Sequence, residues 1–136
     1  MKSTELRIGN LIYQYIKDEG FYLNTVDEDT FKSFIYHNED GWDIDESYYE
    51  PIPLTEEWLV KFGFEITIDP ENVHYKLPLV GEFNESFVIN RKVGYSVFYV
   101  PHVDCNNYLC FTTQVKSINE LQNLVFALTG EELTIK

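Results

Sequence analysis

The sequence predicts an α+β protein: a small, barrel-like N-terminal antiparallel β unit, a short helix, and a second antiparallel sheet covered by a C-terminal helix. Three observations carry that expectation. Residues 51–64, Pro-Ile-Pro-Leu-Thr-Glu-Glu-Trp-Leu-Val-Lys-Phe-Gly-Phe, hold explicit start and stop signals for a short helix. Short aromatic and β-branched runs, bounded by turn-forming clusters, lie on both sides of it. A capping signal followed by an amphipathic run then closes the chain. The expected division is a β unit over residues 1–50 and an α+β unit over residues 51–136, packed together as one globular body.

The first strand is expected within residues 6–16, interrupted at Gly9-Asn10, a pair suited to a bulge or tight bend. Phe21 to Val26 and Phe31 to Tyr36 read as further strands, because clusters rich in Asp, Glu, Asn and Gly separate them. A short strand near Trp42 to Tyr49 completes the unit.

Thr55 is placed to cap the helix of residues 55–62, and Glu56 and Glu57 complement its positive end. Leu54 and Leu59 have the spacing of a hydrophobic staple. Gly63 can adopt the left-handed conformation that ends a helix, with Phe64 folding back on Leu59. Strands are then expected at 64–68, 73–77, 87–90, 95–100 and 108–115, with Asp69 to Asn72 as a hairpin turn. Tyr95 to Val100 is apolar on both alternating faces, as suits a central strand. Ser117 and Glu120 form a capping-box pattern, and Gly130 ends the last helix. On that helix Ile118, Leu121, Leu124, Val125 and Leu128 share one side, whereas Asn119, Gln122 and Asn123 share the other, together with Phe126.

Ten Tyr, ten Phe and two Trp in 136 residues supply ample core material. The formal charge of -13 argues against a nucleic-acid backbone or an anionic membrane as direct partner. Residues 1–50 carry twelve Asp or Glu against four Lys or Arg, making them the more acidic part for their length. Lys2 to Arg7 is polar, and no apolar run long enough for a signal peptide or membrane span follows, so a cytoplasmic setting is expected.

Three blocks together, Leu6-Arg-Ile-Gly-Asn10, residues 51–64, and Leu121-Gln-Asn-Leu-Val-Phe-Ala-Leu-Thr-Gly-Glu-Glu-Leu133, resemble a group of small uncharacterised proteins of Bacteroides-type bacteria and their phages. Residues 11–50 and 65–116 match only loosely. In that group the last block often begins with a His near the helix start, where this chain has Asn119 or Glu120. The resemblance implies a bacterial or phage cytoplasmic setting and supplies no mechanism.

No motif points to catalysis, a metal or a cofactor. An Asn106-Asn107 hairpin would set Cys105 opposite Tyr108 and Cys110 opposite Val103, leaving the two cysteines as diagonal neighbours about 7–8 Å apart, too far for a disulfide. His102 and Asp104 would point to the other face, so the four side chains do not converge as zinc ligands must. His37, His74 and His102 lie in different segments without a nucleophile motif beside them. The acidic run from Glu39 to Glu46 fails the calcium-loop pattern, with Tyr36 and Ser47 where the end ligands belong. The seven glycines form no phosphate loop.

The expected function is therefore a non-enzymatic protein-interaction module with an acidic surface and a basic protein partner. Its candidate contact residues are Phe126, Trp42, Asp43, Asp45, Glu46 and Glu50. Two alternatives stand beside it: a small-ligand binder or enzyme with an aromatic pocket between the two β units, and a nucleic-acid mimic in which Asp43, Asp45, Glu46 and Glu50 replace phosphates. Phe126, an aromatic on the polar side of the last helix, is expected to be buried within its own chain or in a homodimer. In a core, its replacement by Ala would cost about 3 kcal/mol or more.

Overall fold

The computed structural model describes residues 1–68, 73–78, 86–90, 96–100 and 109–136. The fold is α+β, in two compact units: Met1–Pro53 with Ser117–Leu133, and Leu54–Lys116 with Thr134–Lys136.

The first unit opens with a 3₁₀ turn at Ser3–Glu5 and continues through strands β1 (Leu11–Ile16) and β2 (Gly20–Thr25), helix α1 (Glu28–Phe34), a π-helical turn at Ile35–Glu39, and strand β3 (Ser47–Glu50). The strands form an antiparallel sheet ordered β2-β1-β3, so the expected barrel-like form is replaced by a three-stranded sheet. Gly9 does provide the expected bulge. Its φ is 96°, its N–H donates to the Val26 carbonyl at 2.8 Å, and Val26 N–H donates to the Asn10 carbonyl at 2.7 Å. Two residues thus oppose one, with glycine in the left-handed position.

The segment predicted as a strand at Phe31 to Tyr36 is helical instead. Asp27, read as part of a turn, caps α1 by accepting from Thr30 N–H at 2.7 Å, and Glu28 and Asp29 fill its first turn. Phe31 and Phe34, three residues apart, share the inward side and join Leu6, Ile12, Val26 and Tyr49 in one hydrophobic cluster. Local capping and packing together override the β-propensity of the aromatic run.

In the second unit α2 (Glu56–Lys61) has the expected boundaries, with Thr55 accepting from Trp58 N–H at its start. Its end is the expected reversal: Phe64 N–H donates to Leu59 O and Gly63 N–H to Val60 O, both at 3.0 Å, with Gly63 at φ 90°. Leu54, Trp58, Leu59, Phe62 and Phe64 are buried. Strands β4 (Glu65–Ile68), β5 (Val73–Pro78), β6 (Ser86–Asn90), β7 (Ser96–Val100) and β8 (Leu109–Gln114) pair in sequential antiparallel order. β7 therefore has strands on both sides, as expected. Tyr75 on β5 is fully buried, and its hydroxyl donates to Glu56 of α2 at 3.1 Å.

The C-terminal helix α3 (Ile118–Thr129) starts at Ser117, whose hydroxyl accepts from Glu120 N–H, and ends at Gly130 with φ 74°. It belongs to the first unit, where it packs beside β1, so the division differs from the expected 1–50 and 51–136. A Cβ on Gly63 would need a left-handed backbone and would come within 2.9 Å of the Lys136 side chain. Gly63→Ala should lower stability by about 1–2 kcal/mol in urea unfolding, and an unchanged midpoint would contradict this helix end.

Candidate interaction surface

Directly opposed residues in an antiparallel pair share a face. Tyr13 opposes Leu23 and Glu50, and Tyr15 opposes Phe21 and Tyr48. Tyr13, Tyr15, Phe21, Leu23, Tyr48 and Glu50 therefore line one side of the three-stranded sheet. The opposite side carries Ile12 and Tyr49, which lie in the hydrophobic cluster with α1. It also carries a polar ladder in which Asn24 donates to Gln14 at 2.7 Å and Gln14 donates to Ser47 at 3.2 Å.

The first side is an aromatic cluster open to solvent. Tyr15 stacks on Tyr48 with centroids 4.8 Å apart, and Phe21 meets Tyr15 at 5.3 Å and Tyr13 at 6.2 Å. Phe21 is 53% exposed and Leu23 46%. The rings brace one another, which limits the rotamer freedom lost when something binds.

A second exposed aromatic group sits on the turn before β3. Trp42 is 62% exposed and stacks on Tyr36 at 6.5 Å. The Tyr36 hydroxyl donates to the Asp43 carboxylate at 3.2 Å, which raises the phenol above its ordinary range because the anion favours the protonated form. Asp43 takes a left-handed φ of 49°, and its carbonyl accepts from Glu46 and Ser47 N–H. Lys17 reaches Glu46 at 3.4 Å, and Asp45 is exposed. His37 Nδ1–H donates to the Trp42 carbonyl at 2.9 Å, so this histidine braces the turn.

Of the sequence-predicted contact residues, the structure places Trp42, Asp43, Asp45 and Glu46 on one turn and Glu50 on the aromatic sheet face. Phe126 stands elsewhere, on α3, and it is not buried: it is 38% exposed, with the Arg7 guanidinium 4.1 Å above its ring. A cation covering the ring shields it in part without burial in the core of its own chain. Arg7 also grips Glu132 through both nitrogens, Nη1 to Oε1 and Nη2 to Oε2, the latter at 2.9 Å. That bidentate hydrogen bond holds the Glu132 carboxyl below its ordinary value of 4.5 and raises Arg7.

The aromatic sheet face was not singled out by sequence reasoning. Its signal was the period-two spacing of Tyr13 and Tyr15 and of Phe21 and Leu23, but Ile12, Ile16 and Tyr22 make the other face apolar too. Which face α1 covers becomes visible only once residues 28–34 are known to be helical.

His102, Asp104 and Cys105 lie outside the described residues. Cys110 opposes Phe98 in the backbone register, and the expected Asn106-Asn107 hairpin with its Val103–Cys110 pairing also lies outside the described residues. Among the described residues no group of three or more His, Cys, Asp or Glu side chains is placed to hold a metal, and no helix is long and apolar enough to cross a membrane. Comparison with known protein families, with curated proteins and with solved structures found no match.

Phe126→Ala should cost about 1 kcal/mol in chemical denaturation, the scale of a partly exposed cation–π pair. A loss near 3 kcal/mol would restore the core reading. Because the folded Glu132 carboxyl titrates below its unfolded value, its contribution is full above the ordinary glutamate range and is lost as pH falls through the lowered value. Glu132→Gln should therefore cost about 0.5–1 kcal/mol at neutral pH, the pair being partly exposed. The difference from wild type should vanish in acid; a gap that persists at low pH would contradict the assignment.

Proposed function

We propose that the protein is a non-enzymatic interaction module, acting in a bacterial or phage cytoplasm, that binds a basic protein partner through the aromatic face of its three-stranded sheet. The observation that carries this reading is the solvent-open cluster of Tyr13, Tyr15, Phe21, Leu23 and Tyr48, with Glu50 on the same face. Exposed aromatic patches of this kind are the usual anchors of protein interfaces, and tyrosine faces also accept Lys and Arg by cation–π contact. The net charge of -13 selects against acidic partners and speeds encounter with basic ones.

Nucleic-acid mimicry has less support. Asp43 is engaged by Tyr36 and Glu46 by Lys17, which leaves a shorter run of unengaged carboxylates than a phosphate-like array needs. The bacterial setting rests on the three sequence blocks alone.

The test is selection from a displayed library of random peptides against the intact protein. Enriched peptides should be rich in Lys and Arg and should lose affinity as salt rises. Their affinity should fall by about tenfold or more for the Phe21→Ser, Tyr48→Ser double variant, the scale of losing central aromatic anchors. Failure to enrich basic peptides, or undiminished binding by the folded double variant, would overturn the proposal.

A further inference from the structure

The two edges of the three-stranded sheet are treated differently. In β3, residues 48 and 50 oppose β1 residues 15 and 13, and the backbone groups of Tyr49 point outward. Those outward groups are occupied. The Asn38 side chain accepts from Tyr49 N–H at 2.8 Å and donates to the Tyr49 carbonyl at 2.6 Å, as a neighbouring strand would. Ser47 N–H donates to the Asp43 carbonyl at 3.1 Å. One side-chain amide thus closes the β3 edge.

The β2 edge has no such closure. Val26 bonds to Gly9 and Asn10 at the bulge, and the alternation of an antiparallel ladder then turns Asn24, Tyr22 and Gly20 toward β1. Phe21, Leu23 and Thr25 consequently direct their N–H and C=O groups outward, and among the described residues nothing bonds to them. All three are exposed. β2 contains none of the lysines, prolines or bulges that ordinarily blunt a free edge. Phe21 and Leu23 also belong to the aromatic face, so the open edge and the open face are continuous.

We infer that the partner engages as an extended basic peptide that adds a fourth strand to the β2 edge, with alternate side chains laid over the aromatic face. This rests on the interaction-module reading and specifies its geometry. Charge decides the occupant. Asp18 and Glu19 precede β2 and Asp27, Glu28 and Asp29 follow it, so both ends of the edge carry exposed carboxylates. Lys17 and Lys32, the nearby cations, are already paired with Glu46 and Glu28. A second copy of the chain would bring like charges together at both ends, whereas a strand with Lys or Arg at its ends would neutralise them.

The test uses the full chain, isotope-labelled, and a peptide with paired lysines at each end of an alternating Val and Thr centre. On binding, the amides of Phe21, Leu23 and Thr25 should shift in NMR spectra and exchange with solvent at least about tenfold more slowly, as new ladder bonds require. Those of Tyr22 and Asn24, already turned toward β1, should change little. N-methylating one alternate set of peptide amides should weaken binding by about tenfold or more, while methylating the other set should not. Binding that shifts the Tyr13, Tyr15, Phe21 and Tyr48 ring signals without protecting the edge amides would overturn strand addition while leaving the module reading standing. No binding of this or any basic peptide would overturn both. Protection of the same amides without peptide, with a doubled mass in solution, would make a second copy the occupant and overturn the choice of a basic peptide.

Discussion

The first unit depends on a set of side-chain amides, buried at Asn119 and Gln122 and half-buried at Asn123, that tie α3 to the N-terminal segment. Gln122, 2% exposed, accepts from Leu11 N–H at 2.8 Å and donates to the Leu133 carbonyl at 3.1 Å. Asn123 accepts from Asn10 Nδ2 at 2.9 Å and donates to the Glu5 carbonyl at 2.9 Å. Asn119, also buried, accepts from the Ser117 hydroxyl at 2.8 Å. Residues 5–11 turn through a 3₁₀ end and a bulge, so their backbone groups cannot all pair within a ladder. Buried groups of that kind need partners, and these amides supply both donors and acceptors. Arg7, spanning Phe126 and Glu132, closes the same junction from outside.

Residues 6–10 and 121–133 are the two halves of one interlock. The connection entering the second unit is tied to the same helix, since Ile118 N–H donates to the Ile52 carbonyl at 2.9 Å. With the start of β1 fixed by Gln122, the strand's alternation is fixed as well. Ile12 turns toward Phe34 and Tyr49, and Tyr13 and Tyr15 turn outward. The open aromatic face on which the proposed function rests is a consequence of that register.

Much of the second unit was legible because its signals are local. Thr55 and Gly63 bracket α2 by capping chemistry that needs no knowledge of the rest of the chain, and the strand runs after it fell within a residue or two of their observed bounds. The first unit was less legible because its decisive interactions are long-range. Asp27 looks the same in a turn as at a helix cap, and residues 31–36 are aromatic enough for a strand. Asn119, Gln122 and Asn123 have the periodicity of a solvent face, yet Asn119 and Gln122 are buried and Asn123 half-buried, because partners more than a hundred residues away satisfy them. Phe126 was rightly placed with the polar side, but its partner is a cation at position 7 and not an apolar surface. The acidic turn was visible as composition; the aromatic sheet face was hidden by a sheet apolar on both sides.

The most direct test of this account is the stability of a Gln122→Leu variant, measured by urea unfolding beside wild type. Leucine keeps most of the side-chain volume but leaves the Leu11 N–H and the Leu133 carbonyl without their partner in a buried site. The expected result is a loss of about 2–4 kcal/mol, with the two buried groups each contributing a desolvation penalty. A variant as stable as wild type, or more stable, would show that apolar burial of α3 suffices and that the amide junction does not organise the unit.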